Sequence, residues 1–306
     1  MQLLTNKTVA IIGGGPGGLT LARLLQMNGA DVKVYERDTS MYARVQGTTL
    51  DLHEESGLEA LRCAGLMDAF RENYRPGAGR LRVMDKHGAI RLDEHASETP
   101  LEENRPEIDR GPLRKILMDS LLPGTVIWDS QFVTMRQDKG GCEIDFKNGT
   151  SAWADIVIGA DGANSKVRPY ITPIKPFYAG VTAIEGYVHN SETASPRIHQ
   201  LLKGGKIFAF GDEKSLIVSA KGDGSLAFYP GWKTSEDWVK TSSINFSNNA
   251  EVVAWFKQEY AGWDEVWIEM FERAEPWFMP RPQYCMPLDQ HWHQLLRFEY
   301  AVRTPH

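Results

Sequence analysis

The 306-residue chain is poor in cysteine: Cys63, Cys142 and Cys285 are its only three, far apart and in no Cys-x-x-Cys pair. That excludes a disulfide-stapled scaffold and a thiolate metal cluster, and leaves free thiols buried in a reducing compartment as the expectation. Basic charge is also in short supply, with 34 Lys and Arg against 40 Asp and Glu and a formal net charge of −6. A nucleic-acid binder or a polybasic membrane-surface protein needs the opposite balance, so neither partner is expected. No apolar run approaches the roughly 18 residues of a bilayer span. Met1–Lys7 lacks the charged and apolar regions of a secretory leader, so a cytoplasmic protein is expected. There is no internal repeat, no low-complexity segment and no Ser/His/Asp set. His291-x-His293 stands without a carboxylate cluster, and no metal site is expected. What remains is a 42% hydrophobic, 24% charged chain, long enough for one large domain or two ordinary ones.

The first 35 residues carry the strongest pattern. Thr8–Ile12 (TVAII) reads as a buried parallel strand, and Gly13-Gly14-Gly15-Pro16-Gly17-Gly18 breaks it. Leu21, Leu24 and Leu25 then recur at helical spacing up to Gly29, and Asp31–Tyr35 returns as a strand. In this β-α-β unit Gly13 permits the tight turn, Gly15 lets the backbone approach a pyrophosphate, and Gly18 lets helix pack on sheet. The helix N-terminus offers free N–H groups to phosphate, and Glu36 offers its carboxylate to a ribose. Spacing alone does not separate NAD from FAD.

Further along, Glu54–Ala64 and Leu66–Asn73 read as two short helices divided at Gly65, and Leu81–Leu92 as a hairpin about Lys86-His87-Gly88. Residues 93–109, with seven acids, one Arg and two prolines, read as a solvated loop. From Phe177 to Trp232 longer strands alternate with Gly-rich turns, an antiparallel sheet inserted into the α/β scaffold. Helices follow at about Asn249–Tyr260 and Trp263–Glu272. Phe208, Phe210, Phe228 and Trp232 either line an apolar pocket or simply pack the sheet.

A second buried strand, Asp155–Gly159, leads into Ala160-Asp161-Gly162-Ala163-Asn164-Ser165-Lys166-Val167-Arg168. This segment resembles the Asp-Gly motif of the class A flavoprotein aromatic hydroxylases, the p-hydroxybenzoate hydroxylase fold, which lies near the FAD pyrophosphate and the approach of the nicotinamide nucleotide. Within that family the chain is most similar to the flavin-dependent tetracycline monooxygenases, through Val9–Pro16 (VAIIGGGP), Val34–Arg37 (VYER), Thr49–His53 (TLDLH), Pro106–Arg114 (PEIDRGPLR) and Thr125–Asp129 (TVIWD).

The resemblance implies an α/β fold, a Rossmann-like FAD-binding domain with an inserted, mainly antiparallel substrate sheet. The expected spans are 1–175 for the FAD domain, 176–275 for the substrate sheet and 276–306 for a truncated return segment. It implies FAD and NADPH as cofactors and molecular oxygen as co-substrate. Gly13, Gly15, Pro16, Gly18, Glu36, Arg37, Asp51, Arg110 and Asp161 are implied at FAD, and Arg44 at NADPH. Where the resembling enzymes hold their polyketide with Gln, Arg and His, this chain has Glu185, Lys206 and Ala227, with Phe208 nearby. The implied activity is hydroxylation of an electron-rich phenolic or enolic small molecule through a flavin C4a-hydroperoxide, by a monomer that needs no catalytic side chain. An aromatic or polyketide-like substrate is expected; a tetracycline, and with it antibiotic resistance, is one candidate. The family's closing Gly-Asp-Ala-Ala-His motif is missing after Pro280–Trp292, so a truncated member that only binds dinucleotide, or has no activity, is the alternative.

Overall fold

A computed structural model of the chain describes residue 4 and residues 6–43, 47–96 and 105–289. Residues 8–109 supply β1 (Thr8–Ile12), β2 (Asp31–Tyr35), β3 (Thr49–Asp51), β4 (Leu81–Asp85), β5 (Ile90–Asp93) and β6 (Glu107–Asp109). Next come β7 (Val126–Ile127), β8 (Phe132–Asp138), β9 (Gly141–Phe146), β10 (Ser151–Ala154) and β11 (Ile156–Gly159). The last five are β12 (Phe177–Val188), β13 (Lys206–Gly211), β14 (Lys214–Ala220), β15 (Leu226–Lys233) and β16 (Met279–Cys285).

Both continuous apolar runs, TVAII and IVIG, become parallel neighbours. They sit in a four-stranded sheet of order β11-β1-β2-β7, with Val9 opposite Ile156 and Val32. The helix Pro16–Met27 covers this sheet with Leu19 and Ala22, and the helix Arg110–Asp119 adds Leu113, Ile116 and Leu117 to the same core. Each leucine or isoleucine so removed from water contributes about 1.5–3 kcal/mol, which is why the strand-helix-strand pattern closes on itself.

The second layer is a seven-stranded sheet of order β16-β12-β15-β14-β13-β4-β5, antiparallel except where β13 runs parallel to β4. One face is dry: Ile184, Val188, Phe228 and Trp232 pack under the helices Asn249–Glu259 and Val266–Arg273. Phe228 meets Phe271 edge-on at 4.7 Å, and Trp232 meets Trp255 at 4.7 Å. The other face carries Glu185, Tyr187, Ala227, Tyr229, Lys206 and Phe208, because paired residues share a face and alternate residues return to it. Against this face lies the ribbon of β3 and β6, whose Leu50 and Ile108 point instead into the first core.

The α/β fold with an antiparallel sheet is as the sequence implies, including both helices after residue 249 and the hairpin turn at Gly88 (φ +77°). The large sheet draws strands from all three expected spans: β4 and β5 come from 1–175 and β16 from 276–306. Three expectations change. Cys63 and Cys285 are exposed rather than buried, since neither lies on an inward face. Within the acidic stretch 93–109, Glu107–Asp109 is a strand, and Glu107 is 2% exposed because Lys206 from the sheet meets its charge. The four aromatics divide: Phe228 and Trp232 are core, whereas Phe208 and Phe210 stand on the open face. Arg44, the His291/His293 pair and the segment 290–306 lie outside the described residues.

Candidate functional site

The glycine-rich turn connects β1 to the helix Pro16–Met27. Gly13 adopts φ +115°, and a Cβ there would sit 2.3 Å from the Ala160 carbonyl oxygen, so no other residue fits. Gly18 is equally tight against the Gly13 carbonyl. Gly15 and Gly17 are the opposite case, with no atom within 4 Å of a Cβ built on either. The loop is thus sealed on its inner side and open on its outer side. Pro16 occupies the first helical position, where no N–H is needed, and the first turn carries no acidic side chain. The result is an open backbone cradle at the positive end of a helix, which fits a pyrophosphate.

Glu36 follows β2 beneath that loop. It is 4% exposed and accepts from the Gly14 N–H at 2.6 Å and the Asp38 N–H at 3.0 Å. A carboxylate has about four acceptor positions, so capacity remains for ribose hydroxyls. Beside it lies Arg114, which the motif reading did not single out. Its guanidinium is 4.0 Å from Glu36, 3.4 Å from Asp38 and stacked 5.5 Å from the centre of the Trp128 ring. Its spacing four residues after Arg110, on one helix face, is the signal that the sequence alone offered; the structure buries it to 2% exposure. Arg37, next to Glu36, is exposed.

Asp161 folds back on its own turn. Oδ1 accepts from Ser165 Oγ at 2.6 Å, and Oδ2 from the backbone N–H groups of Lys166 and Val167 at 2.6 and 3.3 Å. Arg168 completes the brace by donating to the Ala163 carbonyl at 2.9 Å. An open depression of about 370 Å³ lies beside it, lined by Gly159, Asp161, Gly162, Ser165, Arg168 and Ile171.

The link from the nucleotide layer to the sheet runs through Gly47. A Cβ on Gly47 would lie 3.4 Å from Arg110 Cδ and 3.9 Å from Glu185 Oε1. Arg110, opening its helix, and Glu185, from β12, therefore flank one small gap. Glu185 is 3% exposed. Its Oε1 accepts from the hydroxyls of Tyr187 and Tyr229, and its Oε2 from Arg281 Nε and Nη2 at 2.9 and 2.6 Å. Burial pushes the carboxyl up, but these hydrogen bonds outweigh it and hold the group below its ordinary value. Burial, with the carboxylate close by, drives both phenols well above theirs.

At the other end of the face, Lys206 of β13 donates to Glu107 of β6, tying ribbon to sheet. Asp51 of β3 is largely open, with His53 at 3.6 Å and Arg105 at 3.9 Å. Ala227 is fully buried and offers no polar atom. Between the two ion pairs the face is apolar, with Ala183, Ile217 and Phe208 half-buried on it.

The family model described as FAD binding domain matches residues 6–260. The chain is 30% identical over 237 residues to the monooxygenase asqM of Emericella nidulans, covering 71% of this chain and 52% of that protein. It is 27% identical over 270 residues to the 3-amino-4-hydroxybenzoate 2-monooxygenase PtmB3 of Streptomyces platensis, covering 87% of this chain and 65% of that one. The chain thus spans about half the length of the first and just under two thirds of the second. The fold matches that of Klebsiella pneumoniae HpxO complexed with FAD and uric acid, with a TM-score of 0.71 at 20% identity, over 92% of this chain and 69% of that one.

Proposed function

The chain belongs to the FAD-binding-domain family of flavoprotein monooxygenases, and from that membership we propose that it is an FAD- and NADPH-dependent monooxygenase hydroxylating an electron-rich aromatic small molecule. The observation that carries this reading is the glycine loop itself, sealed at Gly13 and Gly18 and open at Gly15 and Gly17; Arg110 and Gly47, which lie against Glu185 on the polar-and-apolar face of the large sheet, support it. Bound FAD would supply the redox chemistry that activates oxygen, with NADPH as electron source. The loop and helix N-terminus would hold its pyrophosphate, Glu36 would accept from its ribose, Arg110 would orient the part nearest the sheet, and Asp51 would accept from a hydroxylated chain. Asp161 shapes the turn on which the depression beside Arg168 is built.

On the sheet, Phe208 and Ile217 support a flat ring, while Tyr229, its hydroxyl donated to Glu185 and hydrogen-bonded to Thr48, borders the polar end of the face. Glu185 and Lys206 are both committed to protein partners, and Ala227 carries no polar group. That combination favours a small hydroxylated ring over a tetracycline-type polyketide, whose many polar edges need more free partners. The names of the relatives, an aminohydroxybenzoate monooxygenase among them, support the same class.

The test is turnover of hydroxybenzoates by FAD-loaded protein under isotopically labelled oxygen. One labelled atom in the product is expected. NADPH consumption that yields only peroxide with every ring offered would favour the catalytically impaired alternative.

A further inference from the structure

The inference rests on the reading above, that the open face of the large sheet receives the substrate. Arg281 lies on β16 opposite Ala183 of β12, which places it on the same face as Glu185. Nε and Nη2 are both spent on Glu185 Oε2, and this fixes the plane of the guanidinium. Glu185 cannot yield, because it is buried and its other oxygen is held by two tyrosines. Yet the Arg281 side chain is 51% exposed, and Nη1 has no partner among the described residues. An arginine used only to neutralise a buried acid has no need to keep one edge bare. Other cations of this face are differently placed: Lys206 is 20% exposed and its charge is met by Glu107, itself 2% exposed, Lys221 is 9% exposed over the Tyr187 ring, and Lys233, at the far end of β15, pairs with Glu213.

From β12 to β13 the face spans three strand spacings, roughly 14 Å, enough for a one- or two-ring aromatic lying on the apolar floor with one end at Arg281. We propose that Arg281 is the anion-recognising residue of this site, anchoring a carboxylate or comparable oxyanion on the aromatic substrate through its free Nη1 edge, and that Glu185 is the positioning residue that holds it in place. A planar, pre-oriented guanidinium is the side chain best matched to that group.

The experiment uses FAD-loaded protein and matched pairs of ligands: 4-hydroxybenzoate with 4-hydroxybenzamide, and 4-hydroxyquinoline-2-carboxylate with its amide. Binding is read from the flavin difference spectrum and from tryptophan quenching. In the unmodified protein at least one acid is expected to bind about tenfold or more tighter than its amide. R281M alone strands a buried carboxylate, so the decisive variant is the double change E185Q/R281M, which removes both charges while keeping the tyrosine contacts. There the acid-to-amide ratio falls to about one. E185Q alone keeps the cation but loosens it, and raises KM for the acid severalfold with little change in kcat. The ratio is taken within one protein sample and does not depend on how much of it is folded. Equal binding of acid and amide in the unmodified protein, no binding of any acid, or a preference that survives E185Q/R281M would each overturn the assignment. Failure to load FAD, read before any ligand is added, would instead defeat the functional reading on which it rests.

Discussion

The two kinds of glycine in the β1 turn make opposite demands, and exchanging each for alanine separates them. In Gly13→Ala the new methyl would meet the Ala160 carbonyl at 2.3 Å in a backbone held at φ +115°. The backbone conformation alone costs on the order of 1–3 kcal/mol, and the overlap adds to it, so a loss of about 3 kcal/mol or more is expected. In Gly15→Ala the backbone is extended, at φ −78° and ψ 175°, and the methyl meets nothing. The fold should lose about 1 kcal/mol at most, through poorer capping. The same methyl, however, stands where a pyrophosphate must approach the helix. Displacing one charge-assisted N–H contact is worth about 1.5–3 kcal/mol, a loss of roughly 10- to 150-fold in FAD affinity. Urea unfolding of the apoprotein measures the first quantity, and FAD titration followed by flavin fluorescence measures the second. Gly15→Ala with undiminished FAD affinity, or Gly13→Ala with undiminished stability, would refute the assignment of an outer, ligand-facing side to this loop.

Phe228→Ala should cost about 3–5 kcal/mol in urea unfolding, because a fully buried ring packed on Phe271 is removed, and should leave FAD affinity unchanged. Arg114→Met leaves Glu36 and Asp38 beside a neutral side chain at 2% exposure; destabilisation of about 3–5 kcal/mol is expected, and FAD should restore part of it. Glu185 has a folded pKa below its ordinary 4.5 because its hydrogen bonds from Tyr187, Tyr229 and Arg281 outweigh burial. Its contribution to stability is therefore complete above about pH 4.5 and is lost as pH falls through the lower folded value, and the urea unfolding midpoint of Glu185→Gln should fall less steeply with pH there than that of the unmodified protein. Tyr187 and Tyr229 stay phenolic well above pH 10, so a spectrophotometric titration of the folded protein should show fewer ionising tyrosines at that pH than the unfolded chain.

The nucleotide layer was legible because its signals are local. TVAII, the glycine run, the leucines of the following helix and Glu36 all lie within 29 residues and fix one β-α-β unit, and the Asp161–Arg168 turn is braced by side chains of its own segment. The sheet face was legible only as a set of positions. Glu185, Lys206, Phe208 and Ala227 do share one face, but their partners come from remote segments. Arg281 reaches Glu185 across 96 residues, and Glu107 meets Lys206 across 99. No periodicity announces such pairs, so the acidic stretch around Glu107 read as solvent-facing charge when one of its acids is buried. Phe228 and Phe208 could not be assigned to opposite faces until the registers of β13, β14 and β15 were known.

The central claim is that this chain holds FAD between a phosphate cradle and an aromatic-binding sheet. The most direct measurement is the flavin absorbance of protein saturated with FAD and then passed through a desalting column. One FAD retained per chain, with visible bands that shift when 4-hydroxybenzoate is added, is the predicted result. A folded but colourless protein after the same treatment would contradict the account.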